Sequence, residues 1–412
     1  MRIAFISQPW DTLQAPVSAG SIPIWTYETA KRLTKSCEVV IYARRSEGQL
    51  AQELAEGIEY RRVAVTGNRV FNALCKALSK ALKKFQYLSS RLYCFPYFFG
   101  VAADLRAQQC DIVHIHNFSQ AVPIIRMLNP KIKIVLHMHC EWLTQFSFQK
   151  IEQRLAQCDL VVGCSDYIAD KIRGRFPQIA AACQRVYNGV DIQQFVPTEA
   201  TDGPANNILF VGRISPEKGL HTLLSAFEQV SEQFAAVTLQ LVGPNKPTTA
   251  AFIADLSDDP KVQRLALLDP PNYLQRLQKQ VSDQCAERVC FIGPVSHLQL
   301  QSYFHQAALL VNPSLSEAFG MSLVEAMATG VPVVATQVGG MVDVVQAEET
   351  GLLVPADDVA ALAAAMMRLL ADKALREEMG QRGRSRAEKV FAWEAIAADL
   401  LRHYRHLIGG CS

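Results

Sequence analysis

The sequence predicts an α/β protein made of two Rossmann-like domains, and three observations lead to this fold class. Short apolar runs recur along the chain and are separated by amphipathic stretches. Polar and apolar residues do not alternate within these runs, which is typical of parallel strands buried on both faces in βαβ units. The length of 412 residues also exceeds what one ordinary hydrophobic core holds.

The predicted strands are short, and several end in a small or turn-forming residue. In chain order they are RIAFIS, EVVIYA, DIVHIH, KIVLHM, LVVGCS, NILFVG, LQLVG, RVCFIG, ALLVNP and VPVVAT. Ligands of open α/β sheets bind beyond the carboxyl ends of such strands. We therefore expect the functional residues in the loops that follow these runs.

A polar segment at 193–207, QQFVPTEATDGPANN, predicts the boundary between the domains because it is rich in turn residues and precedes a new apolar run. We expect an N-terminal α/β domain at 1–193 and a C-terminal α/β domain at 194–387. The tail from about 388 to 412 has the pattern of an amphipathic helix, and we expect it to pack back on the first domain.

The composition excludes several classes of protein. Hydrophobic residues make up 50% and charged residues 19%, as in ordinary globular proteins. The 11 cysteines form no C-x-x-C pair, which favours reduced thiols over disulfides. No apolar run reaches the roughly 18 residues of a membrane span, and no signal peptide is evident. We therefore expect a cytoplasmic protein.

Charge is distributed unevenly between the halves. Lys and Arg exceed Asp and Glu in residues 1–193, and the reverse holds for 194–412. The segment 69–91 predicts an amphipathic helix with one apolar and one basic face. Its basic face is either an ordinary solvated surface or a peripheral contact with anionic lipid at the inner face of the plasma membrane. No nucleic-acid partner is expected.

The segment SEAFGMSLVEAMATG at 316–330 predicts a loop that leads into a short helix and binds an anion. Gly320 lets a ligand approach the backbone, and Ser322 is a candidate N-cap. Backbone N–H groups and the helix dipole at this point favour a phosphate. Glu325 is placed to accept hydrogen bonds from ribose hydroxyls, and Glu317 from another sugar.

A second element, VGRISPEKGL at 211–220, follows another predicted strand. Arg213 and Lys218 flank its turn, and two cations at such a position can neutralise a diphosphate leaving group. Each element alone is common in proteins, because a Gly turn often precedes a helix and an Arg–Lys pair is usually a surface feature.

Together, the two elements resemble the retaining family-4 glycosyltransferases of the GT-B fold. The resemblance rests on G-R-x-x-x-E-K-G at 212–219 and on two glutamates separated by seven residues, Glu317 and Glu325. The surrounding stretches FIGPVSHLQLQSYFHQAALLVNPS and EAMATGVPVVATQVGGMVDVV extend it over nearly the whole second half. It implies two Rossmann-like domains that face each other across a cleft, with the acceptor bound by the N-terminal domain at 1–193 and the nucleotide sugar by the C-terminal domain at 194–387. It also implies hexosyl transfer from that nucleotide sugar.

The resemblance also implies roles for the matching residues. Arg213 and Lys218 would hold the donor diphosphate, Glu325 the ribose and Glu317 the donor sugar. The remaining donor contacts would come from adjacent loops and the helix start, at Gly293, Val295, Phe319, Gly320, Met321, Ser322 and Leu323.

The first half resembles the family more weakly. His139 in VLHMHCEW matches the histidine that faces the reacting sugar, and it completes a catalytic set with Glu317, Arg213 and Lys218. His137, on the same side of the strand, is the second candidate. The family's first loop usually carries a Gly-Gly pair near the donor phosphates, whereas this chain keeps only Gly20. The geometry of this loop and the acceptor contacts stay open.

Other histidines fit a structural role better than a catalytic one. His114 and His116 alternate along a predicted strand, which favours half-buried residues with satisfied hydrogen bonds. The group formed by His137, His139, Cys140 and Glu141 matches no standard zinc pattern. We therefore expect neither a bound metal nor another cofactor.

In the implied reaction, the acceptor attacks the donor sugar on the same face that the leaving group departs from. The leaving phosphate helps to deprotonate the acceptor. No carboxylate pair suited to a retaining hydrolase is evident. The expected donor is UDP-glucose, with GDP-mannose second. The basic first half favours a glycan or lipid-linked acceptor, as in exopolysaccharide or envelope polysaccharide biosynthesis.

Three alternatives stay open: a nucleotide-sugar epimerase of the same fold, a synthase or phosphorylase that uses a small sugar phosphate, and an inactive nucleotide-sugar-binding subunit. A Rossmann dehydrogenase is disfavoured because no G-x-G-x-x-G follows the first strand.

Overall fold

The computed structural model describes residues 1–15, 17, 20–64, 90, 92–198, 206–245, 263–264 and 272–409. These residues fall into two compact units. One unit contains Met1–Tyr187 and Trp393–Ser412, and the other contains Asn188–Ala392. The segment 69–91, predicted as an amphipathic helix, lies outside the described residues except for Ser90.

The first unit is built on an eight-stranded sheet with the strand order β3-β4-β2-β1-β5-β6-β7-β8. Only the edge strand β3 runs antiparallel to its neighbour. The strands are β1 (Arg2–Ile6), β2 (Glu38–Arg44), β3 (Gln52–Ala55), β4 (Ile58–Val63), β5 (Ile112–His116), β6 (Lys133–Met138), β7 (Leu160–Gly163) and β8 (Cys183–Arg185).

The helices of this unit connect the parallel strands. They are α1 (Ser21–Leu33), α2 (Phe95–Gln108), α3 (Val122–Leu128), α4 (Trp142–Gln145), α5 (Phe148–Leu155) and α6 (Asp166–Arg175). The start of α6 is fixed by Ser165, whose side chain accepts a hydrogen bond from the backbone N–H of Ile168. Strand β5 is buried along its whole length, including its two histidines.

The second unit contains a six-stranded, fully parallel sheet with the order β11-β10-β9-β12-β13-β14. The strands are β9 (Asn207–Val211), β10 (Thr238–Val242), β11 (Val289–Gly293), β12 (Leu309–Asn312), β13 (Val333–Thr336) and β14 (Gly351–Val354). Ten of the described strands match the predicted apolar runs, whereas β3, β4, β8 and β14 lie outside them. The two sheets confirm the α/β class with two Rossmann-like domains.

The described helices of the second unit are α7 (Leu220–Gln233), α8 (Tyr273–Gln280), α9 (Leu300–His305), α10 (Met321–Ala328), α11 (Met341–Val344), α12 (Val359–Ala371) and α13 (Lys373–Arg386). Asp358 and Asp372 cap α12 and α13 with their side chains. A π-helical turn at Ala387–Phe391 ends this unit.

The last helix, α14 (Trp393–Gly409), returns to the first unit and packs against α1. Arg32 on α1 pairs with Glu394 at the start of α14, with 2.8 Å between the guanidinium Nε and the carboxylate. Trp393 and Tyr404 are buried. This helix is therefore part of the hydrophobic core of the first unit, because its apolar face is covered.

Candidate functional site

The G-R-x-x-x-E-K-G segment forms a tight turn at the carboxyl end of β9. Pro216–Lys218 make one 3₁₀ turn, and Gly219 caps α7 with φ at +67°. A Cβ at Gly219 would lie 2.0 Å from the Pro313 carbonyl oxygen. Only glycine therefore allows this turn to lie against the loop that follows β12.

Arg213 is held by an acid from its own motif. Its Nη2 lies 3.0 Å from Oε1 of Glu217, and the Ser215 hydroxyl donates to the same oxygen at 2.6 Å. Glu217 is buried, whereas the Arg213 side chain is nearly half exposed. The sequence analysis assigned Glu217 no role, although the acid is present in the motif. It orients the guanidinium towards solvent-accessible space.

Lys218 joins this turn to the second motif. Its Nζ lies 2.5 Å from Oε2 of Glu317, and both side chains are largely buried. The two elements that follow β9 and β12 therefore meet at neighbouring strand ends of the sheet. A charged pair at such a depth is strongly coupled, because little water screens it.

The backbone of Glu317 is fixed by a glycine pair in the loop after β13. Gly340 donates its N–H to the Glu317 carbonyl oxygen at 3.1 Å. Gly339 has φ at +54°, and a Cβ there would lie 1.8 Å from the same oxygen. The sequence analysis quoted this segment, QVGG, without giving it a function.

Helix α10 starts two positions earlier than the prediction. Gly320 is the N-cap, with φ at +103°, and Ser322 lies inside the first turn. The expectation that Ser322 caps the helix is therefore wrong, because the glycine conformation already ends the preceding loop. Gly330 adopts the expected left-handed conformation just after the helix, with φ at +76°.

The first turn of α10 directs backbone N–H groups out of the helix, as at every helix start. Met321 and Ser322 are half-buried, whereas Phe319, Gly320 and Leu323 are buried. The buried Phe319 ring packs edge-on against Phe391, with ring centroids 5.7 Å apart. These apolar contacts fix the turn, so that its N–H groups are pre-oriented for an anion.

Glu325 is buried one turn further along α10, and its Oε1 lies 2.8 Å from Nε2 of His297. His297 follows Ser296, which closes a capping box with Gln299. The sequence analysis missed His297, because its partner is 28 positions away. Gly293 and Val295, at the carboxyl end of β11, lead into this turn.

A second group of predicted residues lies in the first unit, where four histidines form two hydrogen-bonded pairs. Nδ1 of His116 lies 3.1 Å from Nε2 of His139, and Nε2 of His114 lies 3.2 Å from Nδ1 of His137. The pairs form because β5 and β6 run parallel with His116 opposite His137. Trp25 of α1 packs against all four rings, at centroid distances of 4.7 to 5.8 Å.

The hydrogen bonds of His114 and His116 confirm the predicted satisfied role. Both residues are fully buried and not half-buried as predicted, because β5 is covered on both faces. Burial and neighbouring histidines hold the pKa values of His114, His116 and His137 well below the ordinary value. These three offer ligand atoms within 4.8 Å of one another, close enough for a metal ion. However, both nitrogens of His114 and His116 already take part in hydrogen bonds.

The backbone next to His139 is held by a chain of polar side chains. Asn117 accepts the His139 N–H at 2.7 Å and donates to Gln8 at 3.2 Å, and Gln8 donates to Asp11 at 3.1 Å. Burial raises the pKa of Asp11 to about 6. These residues lie after β1, β5 and β6, at the sheet edge where a ligand is expected.

Two further features lie in the first unit. Gly20 is the N-cap of α1, with φ at +84°. Trp10 is 45% exposed and packs edge-on against Phe118, with ring centroids 5.3 Å apart. Phe118 also contacts Trp142 and Tyr93, so an aromatic cluster surrounds it at the carboxyl ends of the strands.

Comparison with known proteins decides the family. The family model Glycosyltransferase Family 4 matches residues 23–194, and the model Glycosyl transferases group 1 matches residues 191–386. The chain belongs to glycosyltransferase family 4. This assignment confirms the resemblance found in the two motifs and gives the protein a glycosyltransferase activity.

Relatives of this glycosyltransferase match over nearly the whole chain. The D-inositol 3-phosphate glycosyltransferase of Streptomyces bingchenggensis is 26% identical, over 98% of this chain and 91% of the relative. Sucrose-phosphate synthase from Thermosynechococcus elongatus has a TM-score of 0.69 at 24% identity and full coverage of both chains. Anabaena HepE in complex with UDP-glucose has a TM-score of 0.69 at 20% identity, over 98% and 99% of the two chains. The fold is GT-B.

Within the part of the chain that the structure describes, no helix combines the length and the apolar character needed to cross a membrane.

Proposed function

We propose that this glycosyltransferase moves glucose from UDP-glucose to a hydroxyl of a glycan or lipid-linked acceptor, with retention of configuration. The observation that carries the proposal is the contact between Lys218 and Glu317, 2.5 Å apart, at the start of α10. A cation, a carboxylate and a helix N-terminus at one sheet edge suit a diphosphate that is bonded to a hydroxyl-bearing sugar.

The proposed roles follow from the environment of each residue. Arg213, Lys218 and the N–H groups of Met321 and Ser322 stabilise the charge of the departing diphosphate, whereas the N–H of Leu323 already donates to the Gly320 carbonyl at 3.1 Å. Glu325, oriented by His297, accepts hydrogen bonds from the ribose hydroxyls. Glu317 and the backbone around Phe319 and Gly320 bind sugar hydroxyls, while Gly293, Val295 and Gly20 line the donor.

In the proposed step the bond between the anomeric carbon and the diphosphate oxygen breaks, and an acceptor hydroxyl attacks the same face of the sugar. The acceptor proton passes to the departing phosphate oxygen. The new glycosidic bond is therefore neutral, and UDP leaves with the proton on its terminal phosphate. His139 binds a hydroxyl of the transferred sugar. This step needs no metal ion, since protein groups stabilise the developing charge and the nearby histidines bond with one another.

The donor assignment is supported by HepE, a protein of the same fold that binds UDP-glucose. The acceptor class is supported by Trp10, whose exposed indole can stack against a sugar ring. A lipid-linked acceptor and peripheral membrane binding rest on the basic pattern of 69–91 alone. Flotation with vesicles containing anionic lipid tests them, and absence of binding would argue against both.

A small sugar phosphate is a second candidate acceptor. One neighbour of this fold is an α,α-trehalose-phosphate synthase in complex with glucose-6-phosphate, with a TM-score of 0.69. An acceptor screen therefore includes glucose-6-phosphate beside oligosaccharides and a lipid-linked sugar, and UDP release above the rate without acceptor identifies the substrate.

The deciding experiment measures the melting temperature with UDP, GDP or ADP, each alone and bearing glucose or mannose. Ligand binding to the native state raises the melting temperature. We expect UDP and UDP-glucose to raise the melting temperature of the wild type but not that of Lys218→Ala. The exposed Lys373→Ala is the matched control and should respond like the wild type. A response to the guanosine set alone would replace the donor by GDP-mannose, and no response to any nucleotide would overturn the proposal.

A further inference from the structure

The environment of His139 determines which of its ring nitrogens carries a proton. Thr26 lies in the second turn of α1 and is the first residue of this hydrogen-bond chain. Its hydroxyl Oγ1 lies 2.8 Å from the carbonyl oxygen of Ile22 and 3.0 Å from Nε2 of His116. Two oxygens this close repel unless a proton lies between them, so the single hydroxyl proton of Thr26 points to Ile22.

The direction of the next hydrogen bond follows from the first. Because the Thr26 proton is already engaged, Oγ1 accepts from His116, and Nε2 of His116 carries a proton. His116 is fully buried, and burial keeps it neutral at pH 7. A neutral imidazole has one N–H, so Nδ1 of His116 carries a lone pair.

This lone pair faces Nε2 of His139 at 3.1 Å. Two lone pairs at that distance would repel, so Nε2 of His139 is the donor. We propose that Thr26 and His116 act as positioning residues: when the His139 ring is neutral, they hold it in the Nε2–H tautomer, which leaves Nδ1 as a hydrogen-bond acceptor for a hydroxyl of the transferred sugar. The role of the sugar hydroxyl rests on the proposed function, whereas the tautomer does not.

Two features strengthen the assignment. The His139 backbone N–H is fixed separately by Asn117 at 2.7 Å, so the ring has little freedom to turn away. The Trp25 indole lies across the His116 and His139 rings, with centroids 5.2 and 5.8 Å away. Rotation of either histidine ring into another hydrogen-bonded arrangement would require this packing to open.

Long-range ¹H–¹⁵N NMR of protein labelled at histidine nitrogen reports the tautomer directly, with His139→Gln identifying the signal. The expected result is a proton on Nε2 of neutral His139 in the wild type. In Thr26→Val, which keeps the side-chain shape but removes the acceptor, His139 should show a mixture of tautomers, and Thr26→Ser should restore the wild-type pattern. An Nδ1–H tautomer in the wild type, or an unchanged pattern in Thr26→Val, would overturn the inference.

Calorimetric titration measures the consequence for the donor. We expect Thr26→Val to weaken UDP-glucose binding by about 5-fold to 10-fold while UDP binding changes by less than about twofold, since one hydrogen bond to the sugar is affected. Thr29→Val is the matched control, because Thr29 is also buried on α1 and its hydroxyl has no hydrogen-bond partner among the described residues. If the tautomer is as stated and UDP-glucose does not bind, the proposed function fails and the tautomer assignment stands.

Discussion

Lys218 and Glu317 are 99 positions apart in the chain, yet the Lys218 ammonium lies 2.5 Å from a Glu317 carboxylate oxygen. Each residue belongs to a different loop, and the pair is largely shielded from solvent. Before donor binding, the two charges therefore satisfy each other. In the proposed function, a diphosphate that enters the site would compete with Glu317 for Lys218 and release the carboxylate for the sugar.

The first prediction concerns this exchange. Lys218→Ala should weaken UDP binding by about 10-fold to 100-fold, because a charged hydrogen bond to phosphate is lost. Glu317→Gln should leave UDP binding unchanged or stronger and weaken only the added contribution of glucose in UDP-glucose. Calorimetric titration of both ligands measures this difference. An equal loss of affinity for UDP and UDP-glucose in Glu317→Gln would contradict a role of this carboxylate at the sugar.

The second prediction separates the ribose contact from the diphosphate contact. Glu325→Ala should weaken UDP binding by roughly 10-fold or more but leave pyrophosphate binding unchanged, because only the nucleoside loses a partner. Arg213→Ala should weaken both. His297→Gln should lie between wild type and Glu325→Ala, since it removes the partner 2.8 Å from the carboxylate without removing the acid itself. Competition by pyrophosphate against a fluorescent UDP analogue provides the measurement.

The third prediction concerns the backbone behind Glu317. Gly339→Ala should lower the free energy of unfolding by roughly 3 kcal/mol or more, because the added methyl group meets the Glu317 carbonyl in addition to a left-handed backbone. Gly330→Ala is the matched control in the same unit. It has φ at +76°, but its nearest neighbours would be 3.8 Å away, so we expect only about 1 kcal/mol. Similar losses in urea unfolding of the two variants would show that the contact is unimportant.

The fourth prediction is acid destabilisation by the buried histidines. Their native pKa values lie well below 6.5, so below pH 6.5 the unfolded chain takes up protons that the native unit does not. These three groups should therefore lower the stability as the pH drops below about 6.5, with a limiting contribution of roughly 4 kcal/mol per pH unit, part of which protonation of Asp11 offsets between about pH 6 and pH 4.

Urea unfolding between pH 7.5 and 5.5 measures this slope. Replacing His137 by Gln should reduce it by about one third, since one of three titrating groups is removed. The exposed His406→Gln serves as the control for loss of a histidine elsewhere in the same unit. A slope that stays unchanged in His137→Gln would exclude this origin.

The fifth prediction concerns Asp11, whose contribution to stability changes with pH in the opposite direction to that of the histidines. Burial raises the pKa of Asp11 from the ordinary value of 3.8 to about 6, so the native state holds this proton more tightly than the unfolded chain does. Its ionisation costs stability above about pH 6, and the cost disappears as the pH falls towards 4. Asp11→Asn should therefore stabilise the protein by up to roughly 3 kcal/mol at pH 7.5 and hardly at all at pH 4. Thermal unfolding at the two pH values provides the test.

The sequence predicted what depends on local pattern. The apolar runs predicted ten strands of the two sheets but not β3, β4, β8 and β14. The strand-loop-helix pattern placed Gly320 and Gly330 at the two ends of α10. The N-cap was assigned to Ser322 because its residue type favours that position, but the left-handed conformation of Gly320 ends the loop first.

Contacts between distant segments could not be predicted in the same way. The pairing of His297 with Glu325 depends on how the turn after β11 approaches α10. The bond between His116 and His139 depends on the register of β5 against β6, which a one-residue shift would abolish. The roles of the site residues in binding and catalysis remain predictions.

The hydroxyl of Tyr404, near the end of α14, lies 2.6 Å from Nδ1 of His114 in the middle of the first sheet. During synthesis, the segment Asn188–Ala392 is complete before Tyr404 is made, whereas the sheet that starts at β1 still lacks a covering helix. The unit that is begun first is therefore finished last. Until α14 leaves the ribosome, Nδ1 of His114 lacks its Tyr404 partner, and the face of α1 that α14 covers stays open.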